Sequence, residues 1–487
     1  MASDVFRPLL LRRWSAACAA ASMLALPAPV LPQPAGDFGR CVSALRAELK
    51  RHPEVRSETF DTYTRTAQDL RADVERFTAT QPEFKLFIWD YLMRRVDGQR
   101  IAEGREMLAR ESAALASIHA RHGVDGATAV AVFGIETDYG RVRGRYPVVD
   151  ATLSRACLNL ASNERKNHFF AALWLLQEGL VKPDEFRGSW AGAFGKTQFM
   201  PGTFTRYMDD GDGSGAPDIV NSVPDALATT ARYLNGLGWL DGLPWGVEVR
   251  APRTVVEALN APEGEHGCLA VAPAAARCRT VEQWATFGVQ GVDGQALADY
   301  TAAWPRWNGG TTAALLAPAG PDGPAWLVTP NYQAIWRYNR ADAYGLAIGL
   351  LADALRGAPP QRVAWPTDDA GISRAEFREL QSLLLQRGHC GVSVDGSEGP
   401  LTSAAIKVEE ARLGLAETGR AGARILRLLK GEAPASGGAC GPAASTPAAS
   451  APEPAAPASA PQAPPEPASA PASAPEPSLP ASSARSE

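Results

Sequence analysis

ATAVAVFGIETDYG, residues 127–140, is the stretch from which the rest of the chain is read. Taken as a helix, steps of three and four residues put Ala129, Val132, Phe133 and Glu136 on one face. A carboxylate is then the next member of an apolar stripe. Burial disfavours its charged form, so Glu136 is expected to hold its proton and serve as a general acid. The plainer alternative is a glutamate at a helix end that turns to solvent or to a salt bridge. Gly140 is expected to stop the helix at an open edge where a substrate can approach.

Downstream, residues 188–201 read GSWAGAFGKTQFMP. Glycines there permit tight turns and close backbone approach. Ser189 and Gln198 supply neutral polar groups, and Trp190 and Phe199 supply rings, a mixture suited to an uncharged sugar. A structural glycine-rich loop is the alternative. Next, Asp210, Asp212 and Ser214 alternate, with Gly215 in sixth place, as at the start of a calcium loop. The twelfth place holds Asn221 instead of a bidentate glutamate, so a metal-free Asp/Gly turn is favoured and no cofactor is expected.

Helical signals run through the flanking sequence. Ile101, Leu108, Leu115 and Ile118 predict one buried helix face. Ser222 caps a further helix, with Pro224 in its first turn and Asp225 where a capping carboxylate would stand. That helix passes Leu227 and Leu234 and stops at Gly236 and Gly238. From Trp245 to Pro330 the pattern changes. Val247-Glu248-Val249-Arg250 alternates like a strand, which predicts a small, partly β insertion. Helical character returns over Tyr332 to Leu355. The predicted class is therefore mainly α (α+β), with one large domain over residues 36–357.

A Pro-Pro pair opens a linker at 358–370, and residues 371–431 read as a small three-helix unit. Phe377, Leu380 and Leu384 give its first face, Ala404-Ala405-Ile406 its second, and Leu426 and Leu429 its third. From 432 to 487 the chain is almost wholly Pro, Ala and Ser, a composition that cannot bury enough surface to offset ordering. At the other end, Arg7, Arg12 and Arg13 precede an apolar, Ala-rich run from Trp14 to Leu26. Small residues follow at Ala28 and Ala35, so 1–35 reads as an export signal. The run is too short for a comfortable permanent membrane span, and Ser15 stands where lipidation of Cys18 would want an apolar residue. Arg12-Arg13 hints at twin-arginine export.

With Cys18 removed, six cysteines remain. In an exported chain that number suggests disulfides. Proximity suggests Cys268 with Cys278. Cys390 and Cys440 bracket the small C-terminal unit, which leaves Cys41 for Cys157. A net charge of −5 with 21% charged residues argues against broad capture of nucleic acid.

FGIETDYG at 133–140 and GSWAGAFGKTQFMPGTF at 188–204 are followed by DGDGSGAPDIVNSVPDALATTARYLNGLGW at 210–239 and NYQAIWRYNRADAYGLAI at 331–348. In that order and spacing they closely resemble the lytic murein transglycosylase B family of the lysozyme-like superfamily, over about Phe38 to Leu355. The resemblance implies a periplasmic enzyme with Glu136 as its single catalytic acid and base. It implies sugar-holding roles for Ser189, Gln198 and Phe199 on one side of the cleft and for Tyr338, Asn339 and Tyr344 on the other, with Tyr233 a further candidate. The implied reaction cleaves the MurNAc–GlcNAc β-1,4 bond of peptidoglycan without water and leaves 1,6-anhydro-MurNAc ends. Most glycosidases use two carboxylates, and no second one stands out in these motifs. A hydrolytic muramidase and a catalytically idle wall-binding scaffold for cell-wall enzymes are the alternatives.

DGSEGPLT at 395–402, followed by Ala405-Ile406, is similar to a peptidoglycan-binding domain. Glu409-Glu410 depart from it, standing where that domain usually has Phe-Gln. The expected partners are peptidoglycan glycan strands, with no nucleic acid and no transmembrane segment in the mature chain.

Overall fold

A computed structural model of the chain describes residues 36–259, 278–302 and 304–431. The expected signal at 1–35 and the tail at 432–487 lie outside the described residues, as do Cys268 and Cys440. No helix among the described residues is long and apolar enough to cross a membrane.

The N-terminal helices are α1 (Gly36–Glu48), α2 (Ser57–Thr64), α3 (Arg71–Thr78) and α4 (Ile88–Arg95). They lead into α5 (Gly98–Arg110), α6 (Ser112–His122) and α7 (Gly126–Thr137). Every residue of α7 from Ala127 to Thr137 is buried, because the helix is apolar on all sides and its neighbours enclose it. Those neighbours include α5 and α6. Asp125 caps the N-terminus of α7 by accepting from the Thr128 amide at 3.0 Å. A short β1 (Tyr146–Pro147) pairs with β2 (Arg187–Gly188). Around this ribbon come α8 (Val148–Leu158), α9 (Asn163–Gln177), α10 (Pro201–Tyr207) and α11 (Val223–Gly236). A disulfide ties Cys41 on α1 to Cys157 on α8.

The insertion holds β3 (Gly246–Arg250), α12 (Arg253–Leu259), β4 (Cys278–Thr280) and α13 (Val281–Thr286). It continues with β5 (Gln290–Gly291), β6 (Thr312–Leu316) and β7 (Ala325–Val328). These strands form an antiparallel sheet in the order β4-β6-β7-β3-β5. Side chains alternate across a strand, and here the alternation serves two cores. Ala313, Leu315, Ala325 and Leu327 enter the insertion's core, with Trp284 and Trp307. Ala314, Leu316, Trp326 and Val328 enter the main helical core instead. The main core closes with α14 (Pro330–Asn339) and α15 (Asp342–Arg356), the latter packed against α7.

Two expectations need correction. The face predicted from Ile101 to Ile118 is split between α5 and α6, because Glu111 leaves helical geometry at φ −95°, ψ 14°. Tyr332 to Leu355 is helical as expected, in two helices parted by Arg340 in the left-handed region at φ 55°. And α7 ends before Gly140. Asp138 and Tyr139 both take left-handed φ, 53° and 56°. This turn folds the Tyr139 ring back onto Gly134, where an added Cβ would lie 2.7 Å from it. The Tyr139 hydroxyl then donates to the Arg100 carbonyl at 2.9 Å.

The C-terminal module consists of α16 (Arg374–Gln386), α17 (Pro400–Arg412) and α18 (Ala423–Gly431). Phe377, Leu380, Leu384, Ile406, Leu426 and Leu429 fill its core, and Ser373 with Glu376 forms a capping box at its first helix. It docks on α4. Arg420 donates to both oxygens of the buried Asp90, at 2.7 and 2.8 Å. Arg94 pairs with Glu398 and lies 4.6 Å over the Phe377 ring.

Candidate active site

Glu136 sits in the last turn of α7 with 1% of its surface exposed. The Tyr344 hydroxyl, from α15, donates to its Oε1 at 2.7 Å, and its Oε2 has no hydrogen-bond partner. Burial pushes its carboxyl well above the ordinary range. The Tyr344 hydrogen bond and the positive charge of Arg95 pull it back, while the charge of Glu83 adds to the rise. The single apolar stripe expected from the sequence is replaced by burial on every side of α7.

Asp138, two residues on, belongs to a different environment. Burial alone would raise its carboxyl, but hydrogen bonding from Arg141 and the charges of Arg100 and Arg374 hold it at about 2. It accepts from Arg100 at 3.1 Å and Arg141 at 2.9 Å, and lies 2.5 Å from Arg374 of the C-terminal module. It is thus a fixed anion that secures the end of α7.

Around Glu136 the expected residues divide into two groups. Tyr344 touches it directly. Asn339, from α14, donates to Glu83 at 3.4 Å and so belongs to the same polar cluster. Gln198 is held at φ 50°, with its amide nitrogen on the Gly195 carbonyl at 2.8 Å and its buried Oε1 unpartnered. A non-glycine in that conformation stores strain of the kind found at ligand-facing positions. Gln198 lines a cavity of 260 Å³ with Thr137, Arg143 and Lys196. Glu136 itself lines a second cavity of 130 Å³, and Val142 lines both.

The second group stands behind the site. Phe199 is fully buried and meets Tyr233 and Tyr338 edge-on, at 5.5 and 5.6 Å. Tyr338 donates to the Thr197 carbonyl at 2.7 Å and stacks on Tyr344 at 6.1 Å. These rings position Tyr344 and the Thr197–Gln198 backbone; they offer no open face to a sugar. Ser189 accepts from the Ala191 and Ala193 amides at 3.3 and 3.1 Å, which shapes the glycine-rich turn.

Asp225 also departs from expectation. Ser222 caps α11 by accepting from the Asp225 amide, but the Asp225 carboxylate turns away to accept from Gly211, Asp212 and Asp218 amides at 2.8, 3.1 and 2.7 Å. It approaches Asp210 and Asp212 to within 4.8 Å, and the Ser214 hydroxyl donates to the Ala216 carbonyl at 3.2 Å. Asp210 accepts from the amides of Gly213, Ser214 and Gly215, and Asp212 from Ser214 and the Ser222 hydroxyl. Each carboxylate oxygen of the three thus accepts at least one protein donor, and the three carboxylates lie close enough together to share a cation.

Sequence reasoning missed Glu83, Tyr91 and Arg95, and missed the module's share in the cleft. Glu83 is 5% exposed, in a short turn whose sequence Pro-Glu-Phe carries no periodic signal. Only tertiary packing brings it beside α7. In the module, Glu409 and Glu410 are spent internally: Glu409 on His389 and Arg412, both at 2.8 Å, and Glu410 on Thr418 and the Gly419 amide. Cys278 and Cys390 are each disulfide-bonded.

Comparison with known proteins gives two family matches, the transglycosylase SLT domain over residues 37–353 and a putative peptidoglycan binding domain over 373–429. Membrane-bound lytic murein transglycosylase B of Escherichia coli K12 is 26% identical over 238 residues, 48% of this chain and 58% of that protein. The alignment therefore spans little more than half of that relative. SltB3 of Pseudomonas aeruginosa, solved with NAG-anhNAM-pentapeptide, is 36% identical over 81% of this chain and 99% of its own, with a TM-score of 0.59. SltB1 of the same organism, 23% identical over 65% of this chain and 99% of its own, shares the fold with a TM-score of 0.54.

Proposed function

The chain belongs to the transglycosylase SLT domain family, and from that premise we propose that it is a lytic murein transglycosylase with Glu136 as acid and then base. One observation carries the reading: a carboxyl whose proton is favoured by burial, oriented through Oε1 by Tyr344, with Oε2 unpartnered, in a residue that lines a cavity.

Glu136 gives its proton to the GlcNAc oxygen as the MurNAc C1–O bond breaks. The acetamido oxygen of the same MurNAc bonds to C1 and carries the developing charge. Glu136, now a carboxylate, takes the proton from the MurNAc 6-hydroxyl; O6 bonds to C1 and the acetamido oxygen leaves. No water enters, and one group acts in both steps. Tyr344 would hold the carboxyl in place throughout, and Gln198 would offer its free amide oxygen to a sugar N–H or hydroxyl.

Glu83 favours a second reading, because a hydrolase needs another carboxylate to activate water. Product analysis separates the two. Sacculi digested with the protein should yield anhydro-muropeptides by mass spectrometry, and Glu136→Gln should lower the rate by about 10²–10⁴-fold. Products heavier by one water would establish a hydrolase, and folded protein without products would establish a binding scaffold. We further propose export to the periplasm, peptidoglycan as the partner, disulfides Cys268–Cys278 and Cys390–Cys440, and a metal-free 210–218 turn.

A further inference from the structure

The cavity at Glu136 has two owners. α4 and α5 supply Tyr91, Arg94, Arg95 and Arg100, while the module contributes Arg374, Arg378 and the turn from Asp395 to Glu398. Most of the charges along this seam are matched. Arg100 and Arg374 share Asp138, and Asp97 approaches both, at 3.9 and 3.6 Å. Arg94 has Glu398. Asp395 is turned to the Gln381 amide and the Ser397 N–H, at 2.9 and 2.8 Å.

Two guanidinium groups are left over. Arg95 and Arg378 are half-buried, line the cavity, and have no carboxylate within ion-pair distance among the described residues. Arg95 lies 5.2 Å over the Tyr91 ring. Arg378 lies under Gly396, where an added Cβ would come within 3.1 Å of its Nε. Buried donors beside them are also unspent: the Tyr91 hydroxyl and Arg374 Nη2 have no hydrogen-bond partner. Leaving buried donors unsatisfied costs stability unless a ligand completes them. The arrangement asks for an anion with planar oxygens, and a carboxylate fits a guanidinium fork best.

We infer that Arg95 and Arg378, one from each domain, form a carboxylate-binding subsite beside Glu136 that takes the peptide stem of the glycan substrate. The inference rests on the proposed function for the identity of the strand. The sugar units at the cut are neutral, whereas the stem attached to MurNAc carries free carboxylates. The module thus takes part in choosing which MurNAc is cut, beyond tethering the enzyme to the wall.

The test compares kcat/KM on stem-bearing glycan strands with that on strands of equal length whose stem carboxylates are converted to amides, using the full protein. Arg378→Ala and Arg95→Ala should each lower the ratio of the two values about tenfold, worth about 1.4 kcal/mol, with the loss in KM. Arg378→Lys should retain more of the ratio than Arg378→Ala. An unchanged ratio in both alanine variants, whether rates hold or fall together, overturns the subsite. Cleavage by the unaltered protein of either strand, abolished in Glu136→Gln, keeps the proposed function standing in that event. Cleavage of neither strand is the failure of that reading itself.

Discussion

Glu83 and Tyr344 act on the proton of Glu136 in opposite senses, so each can be removed with a signed outcome. Tyr344 donates to the carboxylate form and lowers the affinity for the proton; Glu83 raises it by charge. The proposed cleavage needs the protonated acid and would fall as pH rises through its pKa. Tyr344→Phe should therefore move the basic limb of the pH–kcat/KM profile to higher pH. Glu83→Gln should move it to lower pH. A limb fixed in both variants would mean that a group other than Glu136 limits the rate. Glu136 was legible in the sequence because its motif is local and ordered. Glu83 was not, because a lone glutamate in a turn acquires meaning only from what packs on it.

At the level of elements, the bond between α1 and α8 closes a loop with a sequence separation of 116. Cys157→Ser should cost about 2–5 kcal/mol in urea unfolding under oxidising conditions. An unchanged midpoint would mean that packing alone holds α1. The 210–218 turn makes the opposite kind of prediction. Its twelfth position is Asn221, with no bidentate glutamate, so millimolar calcium should leave the melting temperature unmoved, and an upward shift would establish a cation site. The helices were legible by periodicity and caps, Ser222 among them. Their interruptions at Glu111, Asp138 and Arg340 were not, since ordinary residues take unusual dihedrals there to satisfy tertiary contacts. The insertion was legible as β, but β3 pairs with β5 and β7, and such distant partners leave no mark on the strand itself.

Across the whole molecule, the module's seat on α4 depends on side chains that read in the sequence as ordinary surface arginines. Arg420→Ala strands the Asp90 carboxylate, which is 2% exposed, without its bidentate partner. Breaking such a pair costs about 3–5 kcal/mol, and small-angle scattering should show a larger radius of gyration with faster proteolysis in residues 358–370. An identical scattering curve would assign the docking to Arg94 and Arg374. The central sheet binds the rest together in another way. Since neighbouring residues of β6 and β7 are pledged to opposite cores, each strand is read in two frames at once. Deleting one residue would exchange the two sets and empty both bodies together. Evolution can lengthen the turns at either end of these strands, but within them it is confined to substitution, and the insertion cannot drift free of the enzyme that carries it.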